Sequence, residues 1–212
     1  MYERPRKQMV EKYVIQAGIQ DQKVIAAMRR IPRHLFVAPA MSHQAYEGSS
    51  LPIGFGQTIS HPTTVALMSQ LLQIEGGEKI LEIGTGSGYQ SAILAEMGAK
   101  VYTIERIAGL GQQTRAILEK LGYHSIAVKI GDGSLGWNEF APYQRIMVTA
   151  GAPAIPENLI NQLAEGGRMI IPVEESNRHQ LQIIDIVAGE IIIKQENTRN
   201  FVPLVGEKGW KL

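Results

Sequence analysis

Glycines at 84, 86 and 88, set directly behind the apolar run Lys79-Ile80-Leu81-Glu82-Ile83, constrain this chain more than any other feature. The run reads as a buried strand with an acidic residue near its end, and a helix follows at once from Tyr89 to Met97. A strand, a glycine-rich turn and a helix in succession open a βαβ unit. The glycines leave no side chain where the backbone or ribose of a cofactor must come close. Their spacing is G-x-G-x-G, whereas the dinucleotide fingerprint is G-x-G-x-x-G, so the third glycine falls one residue early.

The rest of the chain extends this unit. From Glu78 onward, strand-like runs at Lys79–Ile83, Lys100–Ile104, Ile126–Ile130, Arg145–Thr149 and Arg168–Pro172 alternate with helix-like runs. The helical runs are Gln90–Met97, Gly109–Leu121 and Pro156–Leu163. Such alternation predicts right-handed crossovers and a doubly wound, mostly parallel sheet with helices on both faces. The strand runs are nearly continuous hydrophobics, as strands covered on both sides require. Gln180–Val187 and Glu190–Gln195 flank Ala188-Gly189 and read as an antiparallel hairpin that closes the sheet.

Residues 1–40 read as a helical extension. Met9, Tyr13, Val14, Ala17 and Ile19 form one apolar face, and Gly18 stops that helix. Asp21 caps a second helix over Gln22–Arg30, which Pro32 breaks. Arg29, Arg30, Arg33 and His34 read as a solvated helix end, where cations are favoured. A length of 212 residues suits one well-buried domain and not two. The expected division is 1–62 as extension and loop and 63–212 as the core.

Between Ala45 and Pro62 no helical or strand period persists, and long irregular segments inside compact domains are often functional. Leu51, Ile53, Phe55 and Ile59 are expected to be buried there while Thr58 and Ser60 are presented to a ligand. Pro62 starts the next helix, with Ser60 or His61 near its cap, Val65, Met68, Leu71 and Leu72 as its apolar stripe, and Gly76-Gly77 as its end.

Ligands of open α/β sheets bind beyond the carboxyl ends of the strands. Past the first strand come Glu82, Gly84, Thr85, Gly86, Ser87 and Gly88; past the second, Glu105; past the third, Asp132 and Gly133; past the fourth, Thr149. A carboxylate at 105 suits a ribose diol and one at 132 an exocyclic amine. An acidic rim of Glu82, Glu105 and Asp132 disfavours a pyrophosphate and suits S-adenosylmethionine, which carries two cationic groups and no phosphate. The absence of cysteine excludes disulfides, a thiolate zinc site and a cysteine nucleophile. A formal charge of +1 makes no electrostatic case for nucleic acid or an anionic membrane. No apolar run approaches the roughly 20 residues of a membrane span, and Met1 to Lys7 leads into no secretory h-region. A cytoplasmic enzyme without a metal is expected.

Leu81-Glu82-Ile83-Gly84-Thr85-Gly86-Ser87-Gly88-Tyr89-Gln90 resembles the first motif of class I methyltransferases, in the form used by protein-L-isoaspartate (D-aspartate) O-methyltransferases. Leu51-Pro52-Ile53-Gly54, Gly56-Gln57-Thr58-Ile59-Ser60 and Pro62 look like the loop peculiar to that family. Gly131-Asp132-Gly133, Val148-Thr149-Ala150 and Phe201-Val202-Pro203-Leu204 follow in the same order. Gly48, His61 and Gln144 depart from the family pattern. The resemblance implies a Rossmann-like fold and S-adenosylmethionine as methyl donor, with S-adenosylhomocysteine as product. It implies as acceptor the free α-carboxylate of L-isoaspartyl residues in damaged peptides. The ester then cyclises to a succinimide, which hydrolyses partly to aspartate. A carboxylate is already ionised at neutral pH and needs no general base. Ser60 is expected to orient it, with Ile53, Thr58, Val202 and Leu204 around the peptide, while His61 serves only the helix start. A monomer is expected.

Overall fold

In the computed structural model, which describes residues 2–176, 178–196 and 201–211, the alternation after Glu78 becomes a seven-stranded sheet. In chain order the elements begin with α1 (Glu3–Val10), a π-helical turn (Glu11–Ile15), α2 (Gln22–Arg30), β1 (Leu51–Gly54), β2 (Gln57–Ile59) and α3 (Pro62–Leu71). They continue with β3 (Lys79–Ile83), α4 (Tyr89–Glu96), β4 (Lys100–Glu105), α5 (Ala108–Lys120), β5 (Ala127–Ile130) and β6 (Tyr143–Val148). The last are α6 (Glu157–Ile160), β7 (Leu163–Glu175), β8 (Arg178–Val187) and β9 (Glu190–Glu196). The large sheet runs β5-β4-β3-β6-β7-β8-β9. Pairing is parallel from β5 through β7 and antiparallel for β7 with β8 and β8 with β9. The expected mostly parallel sheet with an antiparallel end is therefore present.

β3 is central because both its faces are covered. Strand side chains alternate, so Ile80 joins the core shared with α3, α4 and the N-terminal helices, while Leu81 and Ile83 join the core on the other face. Burial of each such side chain is worth about 1.5–3 kcal/mol. The same alternation puts Glu82 on the Ile80 face, under α4. Strand order reverses around β3, with β4 and β5 on one side and β6 on the other, which opens a crevice at the carboxyl ends of β3 and β6.

The N-terminal helices form as their punctuation dictates. Asp21 caps α2 by accepting from Lys23 N at 2.8 Å and Val24 N at 3.3 Å, and the helix stops two residues before Pro32. Met9, Val14 and Ile19 are buried, whereas Ala17 faces solvent because the π-helical turn shifts the face at that point. Three expectations need correction. The segment from 45 to 62 contains an antiparallel hairpin, β1 with β2, whose short strands are masked in sequence by Pro52 and the glycines at 54 and 56. The run Pro156–Leu163 gives only one helical turn, because Leu163 already pairs with Tyr143 and the strand continues to Glu175 along β8. α3 ends at Leu71, ahead of Gly76-Gly77.

Candidate active site

A cavity of about 340 Å³ lies at the carboxyl ends of β3, β4 and β6. One wall is the turn Gly84–Ser87, with Glu105, Arg106, Ile107, Gly133 and Thr149. The opposite wall is the end of the β1–β2 hairpin, Gly56–Ser60, with Thr64, Val65 and Met68 of α3. Val202–Val205 closes a third side.

The glycine turn is shaped by backbone that other residues rarely adopt. Gly84 has φ +93°, and a Cβ there would collide with Thr149 Oγ1. That hydroxyl donates instead to the carbonyls of Ile83 and Gly84, at 2.9 and 2.8 Å, so Thr149 stitches β6 to the turn as well as lining the cavity. Gly88 does not line it; it starts α4 as the N-cap.

The three expected carboxylates separate. Glu105 is at the cavity: its Oε2 accepts from Gly86 N and its Oε1 from Ile107 N, both at 2.9 Å. Each oxygen keeps a lone pair for a ribose hydroxyl. Glu82 is fully buried under α4 and lines no part of the cavity. The Ser91 hydroxyl donates to its Oε2, and Oε1 has no partner among the described residues. Burial pushes its carboxyl up to about 7. Asp132 is also off the wall. Its oxygens accept from Ser134 N at 2.9 Å, Ser134 Oγ at 2.7 Å and Glu207 N at 2.7 Å, tying the last segment to β5. Burial raises its pKa, and these hydrogen bonds outweigh that and hold it below the ordinary value. A ring of three carboxylates thus reduces to Glu105. The strand-end positions are as read, but side-chain direction is set by the pleat for Glu82 and by the segment at 206–208 for Asp132.

On the hairpin wall, Thr58 is exposed and Ser60 half-buried, and both line the cavity with Val202 and Leu204. The latter segment is bridged to the end of β6: Gly151 N donates to Val202 O, and Leu204 N to Gly151 O, each at 2.7 Å. Ile53 lies behind this wall, against Gly86. Leu51 and Ile59 are buried as expected. Phe55 is not: it sits 51% exposed at the hairpin tip, its ring packed on Gly109 at the start of α5.

Several site residues escaped the sequence. Arg33 is wholly buried rather than solvated, and its Nη2 donates to Ser60 O at 2.8 Å. His34 is also engaged, Nδ1 to Tyr46 Oη at 2.7 Å with its ring stacked on Tyr2, while Arg29 and Arg30 are exposed as read. Tyr89 and Gln90 line the cavity from the start of α4, Gln90 Nε2 donating to Ser69 Oγ at 2.9 Å. The apolar flanks Ile31 and Leu35-Phe36-Val37 were the one signal that Arg33 enters a core.

The departures at 48, 61 and 144 also have places. A Cβ on Gly48 would collide with the ring of Tyr13, which lies edge-on to His61 with centroids 5.5 Å apart. Gly48 and His61 thus share one neighbour. His61 caps α3, its Nδ1 accepting from Thr63 N at 3.1 Å. Gln144 Oε1 accepts from Lys79 N at 2.8 Å and satisfies the start of β3.

The chain is similar to known proteins over nearly its whole length. The family model of protein-L-isoaspartate (D-aspartate) O-methyltransferases matches residues 4–209. Protein-L-isoaspartate O-methyltransferase 2 of Geotalea uraniireducens is 51% identical over 97% of this chain and 95% of its own. The protein-L-isoaspartate O-methyltransferase of Dictyoglomus thermophilum is 48% identical over 99% and 95%. A solved protein-L-isoaspartate O-methyltransferase superposes with TM-score 0.86 at 28% identity, over 99% of this chain and 67% of that one. A Plasmodium falciparum structure described as such an enzyme in complex with S-adenosyl-L-homocysteine shares the fold, with TM-score 0.82 at 24% identity, over 94% and 98%.

Proposed function

We propose a protein-repair methyl transfer for this chain, which belongs to the protein-L-isoaspartate (D-aspartate) O-methyltransferase family. The reaction converts the free α-carboxylate of an L-isoaspartyl residue to its methyl ester, which cyclises to a succinimide and returns in part to aspartate. The observation that carries it is the joining of Glu105 and the Gly84–Ser87 turn with Thr58 and Ser60 around one cavity.

The residues present fit S-adenosylmethionine. Gly84 must lack a side chain for the turn to exist, and Glu105 offers an ionisable acceptor already oriented by two N–H groups. Among the described residues no cluster of basic side chains, as a pyrophosphate would need, lines the cavity; of them Arg106 alone contributes one. When bound, the cofactor supplies an electrophilic methyl group on a sulfonium. Gly84, Thr85, Gly86, Ser87, Glu105, Gly133 and Thr149 hold it, while Glu82, Gly88 and Asp132 act from behind by shaping the turn, the helix start and the closing segment. Ser60 and Thr58 orient the acceptor carboxylate by donating hydroxyls without adding charge. Ile53, Val202 and Leu204 exclude water from the nucleophile. No general base is needed, since the acceptor is ionised at neutral pH.

The reading treats the chain as one catalytic unit, 1–62 presenting the acceptor and 63–212 holding the cofactor. It extends to a cytoplasmic monomer acting on isoaspartyl proteins, with no nucleic-acid partner; the formal charge of +1 and the lack of cysteine support this. Among the described residues no helix is long and apolar enough to cross a membrane. Matched isoaspartyl and aspartyl peptides incubated with methyl-labelled S-adenosylmethionine test it. Label should enter the isoaspartyl peptide alone and leave as methanol in mild base. Equal labelling of both peptides, or of neither, would overturn the assignment.

A further inference from the structure

Arg33 is fully buried, yet no Asp or Glu among the described residues forms an ion pair with it. Its donors go to backbone carbonyls. Nε reaches Ala45 O at 2.9 Å, and Nη2 reaches Ser60 O at 2.8 Å and Ser49 O at 3.4 Å. The guanidinium carbon stands 5.0 Å from the ring centroid of Tyr89, and Nη1 has no hydrogen-bond partner among the described residues. Tyr89 and Ser60 both line the cavity. A buried cation without a counter-ion is costly, and this one sits directly behind the wall that receives an anion.

We propose that Arg33 is a positioning residue for the acceptor: it fixes the backbone of Ser60 and supplies the uncompensated positive charge that selects an ionised carboxylate over the neutral ester.

The geometry supports both parts. The three carbonyls mark the approach to the β1–β2 hairpin at Ala45 and Ser49 and its exit at Ser60, so one planar fork ties the two ends of the acceptor loop together. A lysine, with a single ammonium centre, does not reproduce a fork. The charge acts through low-dielectric interior and is poorly screened by salt. In the transfer, an acceptor oxygen forms a bond to the methyl carbon as the carbon–sulfur bond breaks, with that bond's electron pair remaining on sulfur. Acceptor anion and sulfonium both become neutral. A fixed cation beside the acceptor therefore favours the bound acid and the departure of the ester, and it offers nothing extra to a transition state in which the acceptor's charge is fading. Its effect belongs in KM.

This inference rests on the isoaspartyl reading, and the test separates the two. Wild-type, Arg33→Gln and Arg33→Lys proteins are compared in steady-state methylation of an isoaspartyl peptide. In the presence of S-adenosylhomocysteine, binding of that peptide is compared with binding of its neutral α-carboxamide. S-adenosylhomocysteine affinity is measured by calorimetry. Arg33→Gln should raise KM about tenfold, reduce the preference for acid over carboxamide by a similar factor and lower kcat as Ser60 is released, with S-adenosylhomocysteine affinity within about twofold. Arg33→Lys should recover the preference but show a lower kcat, because Ser60 is no longer held by a fork. An unchanged preference in Arg33→Gln overturns the proposal, as does an equal loss of peptide and S-adenosylhomocysteine affinity, which would mark a general structural role. If Arg33→Gln does not fold, loss of the preference in folded Arg33→Lys also overturns it. Wild-type protein that labels no isoaspartyl peptide removes the functional reading, and this inference with it.

Discussion

On the cofactor side of the cavity, Gly84, Gly86 and Glu105 sit next to strands locked by parallel pairing, with Glu82 opposite Thr103 on one neighbour and Met147 on the other. On the hairpin side, proposed to receive the acceptor, Ser60 follows a three-residue strand that pairs within a two-stranded hairpin, and its carbonyl is held by Arg33 from another part of the chain. The first wall inherits its shape from a buried sheet. The second is marginal by itself, since an isolated hairpin has little independent stability, and depends on contacts made at long range. Damage to the first wall should therefore appear as lost stability and lost cofactor binding together. Damage to the second should appear in acceptor kinetics while the cofactor still binds.

The largest test of that contrast is Gly84→Ala. Positive φ and the collision with Thr149 Oγ1 should lower unfolding free energy by about 4 kcal/mol and abolish S-adenosylhomocysteine binding in calorimetry. A stable variant with intact binding would break the comparison at its stronger end.

Glu82 probes the layer beneath the same wall. Its carboxyl is held at about 7 in the fold against an ordinary 4.5, so the folded state binds the proton more tightly than the unfolded chain. Below about pH 4.5 both states are protonated and the group costs nothing. The penalty grows as pH rises from there towards 7 and is complete above it, at about 3 kcal/mol. Denaturant unfolding across this window should show stability falling with pH in the wild type and a flatter profile in Glu82→Gln. Identical slopes would mean that another group carries the proton.

Ser60→Ala moves to the weaker wall. Loss of one hydroxyl donor to a charged acceptor should reduce kcat/KM by about 2 kcal/mol, near thirtyfold, with cofactor affinity unchanged. A parallel drop in cofactor affinity would show that the two walls are not separable. The smallest effect is expected for His61→Gln. Removing the cap from Thr63 N should cost about 1 kcal/mol of stability and leave the pH profile of methyl transfer unchanged. A lost acidic limb in that profile would make His61 a base after all.

The same contrast explains what could be read in advance. The order of strands and helices after Glu78 was legible because each run satisfies its own period and is bounded by its own turns. Asp21 was legible as a cap, and the cap of α3 was narrowed to Ser60 or His61, because capping acts over two or three residues. The loop at 45–62 could be marked as functional from its composition, but not as a hairpin: Pro52, Gly54 and Gly56 suppress strand propensity, and pairing is what rescues it. Phe55 was misplaced for a related reason, since hydrophobicity says that a side chain prefers cover and not that cover exists at a hairpin tip. Pro156–Leu163 shortened to one turn because pairing with Tyr143 outcompeted helix propensity.

By itself, then, the chain of residues determined a doubly wound sheet with a tight glycine turn after its first strand, and an irregular loop ahead of it. These follow from local chemistry: strand period, glycine's access to positive φ, and the short reach of a cap. Only the tertiary structure decided which carboxylate faces the cavity and what holds Ser60. Glu82 and Glu105 share one face of the sheet, since Glu82 is in register with Thr103, but Glu82 falls inside β3 under α4 while Glu105 ends β4 beside Gly86. Asp132 is taken up by Glu207 N, and Arg33 passes from an apparent surface cation to a buried tie between Ala45 and Ser60. Side-chain direction and the partners of a buried charge depend on segments far apart in the chain, so no pattern local to one segment could specify them.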